Sequence, residues 1–456
     1  MSKNTFLKKE AIKEAIAELA DPFAPKNFVS KNFVSKNFVS KKTVQQIYPA
    51  ARRRAASLKR WIIKRLKQTP ETPSPQHLPI FKNFERDGTP PFSKKALVIC
   101  EAHGFFSTPE QLQHSSHANQ AETVEIARAF NRLGYSVDAM DVFDPETVPD
   151  AAYDVVFGEY YNYGRLLPGL PKETLRIFYA TRSYWRAEHQ AIEERAKRIQ
   201  RTRGAALPIK HWEEENSWVE QSDAIIVLGN KTTAATFSSQ RVSVQRIDNC
   251  ALYSPPPDLN QKDFSEARKN FLWVGSRTLL RKGLDLVLEA FSTLPDLHLW
   301  ICGPVNEGGE RAFVKAYRQE LFHTPNIHPI GFIVPQSETM MTLMNKCAAL
   351  VFTSCSEGMS GGVLDCMAQG LVPIISQEAG VDTESFGVTL EPCTVEAIRE
   401  AVVNFASLPP ETCRAMAQEA YDKTQTRYTL VAYSRNIEHL LGTAIDQATR
   451  VSASRQ

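Results

Sequence analysis

The sequence predicts an α/β protein with two Rossmann-like, doubly wound parallel-sheet domains that face a cleft, preceded by a basic N-terminal extension. Two series of short apolar runs alternate with helical patterns, which is typical of parallel sheets with crossover helices. A Pro-rich segment, CALYSPPPD (250–258), separates the series as a hinge. We therefore predict four regions: an extension and linker at 1–92, an N-terminal domain at 93–258, a C-terminal domain at 259–427, and a helix with tail at 428–456.

The first series begins at ALVIC (96–100), an apolar run that favours a buried parallel strand. A helical pattern over Glu122–Leu133 follows, and a long polar helical stretch lies around 185–203. Further strands are predicted at GYSVDAMDVF, YDVVFGEY, LRIFYAT and AIIVLGN. Strands that alternate with helices at this spacing predict one parallel sheet for the first domain.

The second series repeats this alternation after the hinge. Strands are predicted at FLWVGS, LHLWICG, NIHPIGF, ALVFTS and VPIIS. Helices are predicted at Leu284–Phe291, near 309–322, at 337–346 and from about Gly362. A last helical segment, about 428–442, is expected to pack back across the hinge.

Composition excludes several classes of protein. The 456 residues contain no apolar run of 18 or more, so no membrane-spanning helix is predicted. The first residues lack the apolar core of a signal peptide, and we expect a cytoplasmic protein. The eight cysteines are scattered singly without a C-x-x-C pair, which favours buried free thiols over a zinc site or a disulfide framework.

The positive charge is concentrated in one segment. Residues 41–67 hold ten Lys and Arg and no Asp or Glu; without them the net charge of +3 becomes −7. After three KNFVS repeats at 26–40, this segment forms a helical pattern with Trp61 and Ile62 among the basic residues. Binding to an anionic membrane, at its inner face, is the favoured interpretation. A solvated tail is the alternative, and nucleic-acid binding is the weakest because no recognition motif accompanies the charge.

The most informative stretch is FTSCSEGMSGGVLDCMAQGLVPIIS, which predicts a strand, a glycine-rich loop, a helix start and a second strand. Ligands of doubly wound sheets bind where such loops meet helix N-termini. Glu357 and Asp365 lie eight residues apart there and can accept hydrogen bonds from sugar hydroxyls. Because roughly six acidic pairs at this spacing are expected by chance, the surrounding pattern carries the argument. The alternative is a solvated loop charge at Glu357 and an ordinary helix residue at Asp365.

This segment resembles the retaining glycosyltransferases of family 4, whose signature is an E-x7-E motif and whose fold is GT-B. The sequence reads EGMSGGVLDCMAQGLVPII where the family has its signature. WVGSRTLLRKGLDLVLEAF, ICGPV and NIHPIGFI resemble further family elements, so that about 270–385 is covered well. The resemblance covers 94–258 only in its general pattern.

The resemblance implies that Glu357 holds the donor sugar and that Asp365, where the family has Glu, binds the ribose. Arg277 and Lys282 would clamp the diphosphate, and two fixed cations suit a leaving group that gains negative charge. One extra residue before Lys282 makes Arg281 a competitor of Arg277; surface charge is the alternative for Arg281. The remaining donor-binding residues that the resemblance implies are Gly275, Gly331 and Phe332, of which the last two would approach the base, and Gly358, Met359, Ser360, Gly361 and Gly362 near the sugar and phosphate.

The residues that would bind the acceptor are less clearly indicated by the sequence. Many family members have a His near the sugar at the end of a strand of the N-terminal domain; the comparable strand here ends YATRSYW, which puts Arg182 or Tyr184 in that place. His103 with Gly104, and His117, follow the first strand and are the other acceptor-side residues predicted. A structural or solvated role is the alternative for each His.

These observations predict a retaining hexosyltransferase that uses a nucleotide diphosphate sugar and a glycan or glycolipid acceptor. The sequence contains no D-x-D triplet, which would hold the diphosphate through a metal ion; Asp141 and Asp144 are separated by two residues. No metal or other cofactor is therefore expected. A non-catalytic nucleotide-sugar-binding or membrane-associated scaffold protein is the alternative from another class. A sugar epimerase or phosphorylase on the same fold is a third interpretation.

Overall fold

The computed structural model describes the residues 80–85, 92–113, 115, 117–209, 211, 215–238, 240, 242–252, 255–305 and 310–454. The KNFVS repeats and the basic segment 41–67 lie outside the described residues. Within the described residues, no helix is both long enough and apolar enough to cross a membrane.

The first half of the structure is a six-stranded parallel sheet with helices between the strands. Its strands are β1 (Lys94–Cys100), β2 (Tyr135–Asp141), β3 (Val155–Gly158), β4 (Leu175–Ala180), β5 (Ala224–Leu228) and β6 (Ser243–Ile247). Its helices are α1 (Pro109–Gln113), α2 (Asn119–Arg132), α3 (Tyr160–Leu166), α4 (Trp185–Arg203) and α5 (Lys231–Ala235). Short 3-10 turns lie at Ala102–Phe106 and Leu167–Gly169. The strand order is β2-β1-β3-β4-β5-β6.

The second half is another six-stranded parallel sheet, in the order β12-β11-β10-β7-β8-β9. Its strands are β7 (Asn270–Val274), β8 (His298–Cys302), β9 (Ile327–Pro329), β10 (Ala349–Phe352), β11 (Val372–Ser376) and β12 (Val388–Leu390). Its helices are α6 (Phe264–Ala267), α7 (Leu284–Phe291), α8 (Arg311–Ala316), α9 (Arg318–His323), α10 (Glu338–Lys346), α11 (Gly361–Met367), α12 (Val395–Ser407) and α13 (Pro410–Thr426), with a 3-10 turn at Gln377–Ala379. The last helix is α14 (Leu430–Ser454). The prediction of two doubly wound parallel sheets is confirmed.

Local sequence explains where several of these elements begin. Ser337 precedes α10, and its hydroxyl accepts a hydrogen bond from the N–H of Met340. Thr394 caps α12 in the same way through the N–H of Ala397. Side-chain oxygens at this position satisfy N–H groups that the helix itself leaves without acceptors. The strands β3, β5, β10 and β11 are buried over their whole length, as expected for parallel strands covered on both faces.

The two halves share a continuous interior. Helix α4 of the first half buries Ile192 and Ile199 in the same apolar cluster as Phe271 and Trp273 of β7. Helix α14 returns to the first half, where the Tyr433 hydroxyl lies 2.9 Å from that of Tyr179. The predicted return of the last helix across the hinge is therefore observed.

Candidate active site

The order of the strands places the predicted donor residues at one point of the second sheet. Numbered within that sheet, its order is 3-2-1-4-5-6 when read from the β9 edge, so the chain reverses direction between β7 and β10. Ligands of doubly wound sheets bind in the crevice outside the carboxyl ends of strands at such a switch point. The loop after β7 carries Arg281 and Lys282, and the loop after β10 carries Glu357. The switch point therefore brings together residues about 75 positions apart in the sequence.

Glu357, Arg281 and Lys282 form a compact ionic group that we call the cleft cluster. Glu357 Oε2 lies 3.0 Å from Arg281 Nη1, and Glu357 Oε1 lies 3.1 Å from Lys282 Nζ. The Ser354 hydroxyl donates a further hydrogen bond to Oε1 at 3.2 Å. Each carboxylate oxygen thus has its own cation, and Glu357, only 8% exposed, is not the solvated loop charge of the alternative interpretation.

Electrostatics keeps the cleft cluster ionised. Burial alone would raise the pKa of Glu357, but the charges of Arg281, Lys282 and Arg182 outweigh it and lower this pKa to about 2. Burial lowers the pKa of Lys282, and Glu357 opposes that shift. A carboxylate with fixed cations at hydrogen-bond distance stays charged even where water is excluded. Glu357 therefore presents an ionised carboxylate at neutral pH.

The two arginines of the predicted clamp lie in different places. Arg281 is 6% exposed and donates from Nη1 to the Ser356 carbonyl at 2.7 Å, so the surface-charge interpretation of Arg281 is wrong. Arg277 is exposed, and its guanidinium has no partner among the described residues. The next residue, Thr278, has a φ of 67°, which is strained for a β-branched residue; its N–H donates to the Glu310 carboxylate at 2.9 Å. The structure thus brings Arg281, and not Arg277, to Glu357.

The glycine-rich loop divides into a packed part and a more open part. A Cβ on Gly358 would lie 2.1 Å from the Thr181 carbonyl oxygen of the first half. Met359 and Ser360 are buried, and the Met359 carbonyl accepts a hydrogen bond from Asn249. Gly361 and Gly362 are half-buried, and their N–H groups meet no acceptor in the described part of the chain. The loop therefore uses Gly358 to let the two halves approach.

Asp365 lies against the linker between the two halves. Its Oδ1 accepts a hydrogen bond from the N–H of Leu252 at 2.9 Å. Burial raises its pKa to about 7, although the Leu252 N–H favours the charged form. One oxygen of the predicted ribose ligand is thus already bonded to the protein, and no described residue donates to the other.

The remaining donor-side residues follow β7 and β9. Gly275 is required by packing, because a Cβ there would lie 2.3 Å from the Trp273 ring. Gly331 has a φ of 98°, and its carbonyl accepts from the Gly303 N–H at 3.0 Å. Phe332 is 54% exposed. Contact of Gly331 and Phe332 with the base of the nucleotide stays a prediction.

The first half supplies the opposite wall of the cleft, where the charge of Arg182 acts on Glu357 and the Tyr184 side chain is packed within the first half. The hydroxyl of Ser183 donates to the Glu357 carbonyl at 2.9 Å, which places the end of β4 beside the cleft cluster. Tyr184 is buried in the apolar cluster of the first half, and its hydroxyl donates to Glu220 at 2.9 Å. Tyr184 therefore contributes to the packing of the first half.

The histidines predicted for the acceptor side are both exposed. His103 Nδ1 lies 4.0 Å from Glu101 Oε1, at the end of β1. Gly104 is required by packing, since a Cβ would lie 2.2 Å from the Gln120 carbonyl. His117 contacts the Ser115 hydroxyl through its backbone carbonyl and N–H. None of these contacts assigns an acceptor role.

Sequence reasoning missed Glu159 and Tyr160. In the first sheet the chain reverses direction between β1 and β3, and these residues follow β3 directly. Glu159 is buried, and its Oε2 accepts a hydrogen bond from the Thr181 hydroxyl at 2.9 Å. Burial raises the pKa of Glu159 to about 8. The signal that could have found them was their place just after the apolar run VVFG, at a predicted strand end.

No group of three or more His, Cys, Asp or Glu side chains in the described ranges has an arrangement that could hold a metal ion. All eight cysteines are free; Cys355 and Cys393 are half-buried and the other six are buried.

Comparison with known proteins finds one family model that matches part of the chain. Residues 257–423 match the model of a family described as glycosyl transferases group 1. No curated protein sequence matches the chain significantly. A solved structure of sucrose-phosphate synthase from Thermosynechococcus elongatus has a TM-score of 0.55 and 14% identity, over 78% of this chain and 100% of that chain. The α,α-trehalose 6-phosphate synthase from Burkholderia multivorans has a TM-score of 0.52 and 11% identity, over 80% of this chain and 100% of that chain. At these identities the likeness shows the fold, which is GT-B.

Proposed function

We propose that this protein transfers a hexosyl unit from a nucleoside diphosphate sugar to a hydroxyl of a glycan or glycolipid; the match of residues 257–423 to the model of the glycosyl transferases group 1 family supports this. The observation that supports this most directly is the cleft cluster. It places one ionised carboxylate and two cations at the switch point of the second sheet, opposite the strand ends of the first.

The chemistry of the proposed transfer suits these charges. The bond between the anomeric carbon and the diphosphate oxygen breaks, and its electron pair leaves with the diphosphate. The acceptor oxygen forms the new bond, and its proton passes to the leaving phosphate or to water. Arg281 and Lys282 would stabilise the charge that develops on the diphosphate, the usual role of fixed cations at a leaving phosphate.

Glu357 is better suited to hold the sugar than to attack it. Its two oxygens are paired with Arg281 and Lys282, and its pKa of about 2 indicates a weakly basic carboxylate. A carboxylate stabilised in this way is a poor nucleophile but still accepts hydrogen bonds from sugar hydroxyls. This supports a reaction without a covalent intermediate on Glu357. Retention, which the family resemblance implies, then requires the acceptor oxygen to attack from the face that the diphosphate leaves.

The proposal includes catalysis without a metal ion, with Lys282 and the arginines in the place of a divalent cation. Treatment with EDTA should leave the turnover unchanged, and manganese should not increase it. Loss of turnover in EDTA that manganese restores would contradict this part of the proposal.

The central experiment combines binding with turnover. Purified protein is screened by thermal shift against sugars linked to UDP, ADP, GDP and dTDP, and the best donor is then tested for hydrolysis and transfer. A ligand that binds only the folded state raises the melting temperature. Glu357→Gln and Lys282→Met should each reduce turnover by about 100-fold or more, the range seen when one group that stabilises the transition state is removed.

Matched controls are available on the exposed surface. Glu400→Gln in α12 and Lys315→Met in α8 remove the same charges where no described residue is a partner, and both should behave as wild type. If all four variants matched wild type, the assigned site would be wrong. A shift by a nucleotide sugar without any hydrolysis or transfer would favour the alternative of a non-catalytic nucleotide-sugar-binding protein. The bond between Asp365 and the linker is the observation that keeps this alternative open.

A further inference from the structure

The donor loop of the second half is in direct contact with the strand ends of the first half. The Ser183 hydroxyl donates to the Glu357 carbonyl at 2.9 Å, and the Thr233 hydroxyl donates to the Gly358 carbonyl at 3.2 Å. On the other side, the Gly358 backbone packs so closely on the Thr181 carbonyl that a Cβ would lie 2.1 Å from it. Arg182 lies between two residues that both contact this loop. Its position is therefore fixed relative to Glu357 by the contact between the halves.

The Arg182 side chain is held by a chain of hydrogen bonds within the first half. Arg182 Nε donates to the Tyr160 hydroxyl at 3.2 Å, and that hydroxyl lies 2.6 Å from Thr181 Oγ1. The Thr181 hydroxyl in turn donates to Glu159 Oε2 at 2.9 Å. Tyr160 adopts a φ of 53°, a conformation that costs of order 1 kcal/mol for a residue other than glycine. Strained residues of this kind persist where the surrounding contacts fix them, often at functional sites.

The net positive charge of the cleft cluster is smaller than the negative charge of a diphosphate, so a third cation would strengthen binding. Glu357 with Arg281 and Lys282 carries one net positive charge, whereas the diphosphate of a nucleotide sugar carries two negative charges. Arg182 is mostly buried, and Glu188 Oε2 lies 3.9 Å from its Nη1. The Tyr160 hydroxyl holds the guanidinium through Nε, and the chain neighbours of Arg182 contact the loop where the diphosphate is proposed to bind.

We propose that Arg182 is a donor-side residue that binds the diphosphate across the cleft, and that Tyr160 is the positioning residue that aims it. This inference rests on the proposed function, and it moves Arg182 from the predicted acceptor side to the donor side. It also makes the donor site a joint product of the two halves, since Arg281 and Lys282 come from one and Arg182 from the other.

The test compares the nucleoside diphosphate that gives the largest thermal shift, among UDP, ADP, GDP and dTDP, with the monophosphate of the same base. Arg182→Gln should weaken diphosphate binding by about 10- to 100-fold, the range for a hydrogen bond to a charged group. Monophosphate binding should stay within about twofold of wild type, because the base and ribose contacts are unchanged. Tyr160→Phe, which removes only the hydroxyl that holds Arg182, should weaken diphosphate binding by a smaller factor of about 3 to 10.

The outcomes separate this inference from the proposed function. If none of the four diphosphates and none of the nucleotide sugars bound the wild type, the proposed function would fail. If Arg182→Gln bound the diphosphate as wild type does, or lost both nucleotides equally, the role of Arg182 would be wrong. If Arg182→Gln does not fold, Arg182→Lys and Tyr160→Phe replace it in the test. The proposal then requires that both variants lose more affinity for the diphosphate than for the monophosphate. Arg399→Gln, an exposed arginine of α12, is the control for loss of charge.

Discussion

Two buried carboxylates, Glu357 and Asp285, are each paired with two cations. In the cleft cluster, Glu357 is paired with Arg281 and Lys282 at 3.0 and 3.1 Å. In a second group, which we call the helix cluster, Asp285 of α7 faces Arg195 and Arg198 of α4 at 3.5 and 3.4 Å. The short segment 281–285 thus supplies cations to one cluster and the carboxylate to the other.

The pKa values of the two carboxylates shift in opposite directions. Burial raises the pKa of Asp285, which is 0% exposed, and the two arginines only partly oppose that shift. The pKa of Glu357 falls to about 2 because the charges of Arg281, Lys282 and Arg182 together outweigh burial. The difference shows that burial and opposite charge compete, and that the number and the distance of the cations help decide the outcome. The cleft cluster borders a ligand site, whereas the helix cluster joins the two halves of the molecule.

The largest effect is expected at the residue that separates the clusters. Gly283 has a φ of 77°, and a Cβ would lie 2.0 Å from the Thr353 carbonyl oxygen. Gly283→Ala should lower the free energy of unfolding by about 3 kcal/mol, through backbone strain and displacement of β10. Gly134→Ala is the matched control: its φ is 85°, but nothing lies within 4 Å of the added Cβ. We expect it to cost about 1 kcal/mol, measured by urea unfolding. Equal losses of stability in the two variants would mean that the Thr353 carbonyl can move away from the added Cβ.

A smaller effect is expected from the helix cluster. Asp285→Ala removes the carboxylate that faces Arg195 and Arg198, and we expect a loss of about 2 kcal/mol in the free energy of unfolding. Lys197→Ala is the control on the same helix, because its pair with Glu193 is mostly exposed and should contribute about 0.5 kcal/mol or less. Binding of a nucleotide sugar should be unchanged in Asp285→Ala. If that variant lost binding but kept its stability, the assignment of the two clusters would have to be reversed.

The smallest effect is a difference in pH dependence between Asp365 and Glu357. The pKa of Asp365 is raised to about 7, so its contribution to stability is complete below pH 3.8 and is lost as the pH rises through about 7. The stability of Asp365→Asn relative to wild type should therefore increase as the pH rises from 5 to about 7. The pKa of Glu357 is lowered to about 2, so its contribution is present above pH 4.5 and is lost only as the pH falls towards 2.

Melting temperatures at pH 5, 6, 7 and 8 check this contrast. The difference between Glu357→Gln and wild type should stay constant over that range, because Glu357 does not titrate within it. A constant difference for Asp365→Asn as well would show that Asp365 is ionised throughout, and its proposed burial against Leu252 would not hold.

Much of the second half could be predicted because its signals are local. The strand before Glu357, the glycine loop and the helix after it follow one another in 25 residues of sequence, and the helix at Leu284–Phe291 is observed as predicted. Apolar runs and turn residues determine such elements through short-range backbone preferences. The roles of Arg281 and Arg277 could not be separated, because both lie in one loop and differ only in which side chain turns towards β10.

By itself, the sequence determined the two parallel sheets, the linker between them, and the placement of Glu357 and Lys282 on loops at strand ends. Those features depend on the spacing of apolar residues and on loop chemistry within a few residues. Only the tertiary structure decided that Arg281 pairs with Glu357, that Asp365 binds the linker, and that Tyr160 bonds Arg182, whose neighbour Ser183 contacts the donor loop. These contacts join residues more than 70 positions apart, except for Arg182 with Tyr160, and they form only when the sheets order their strands and the two halves pack together.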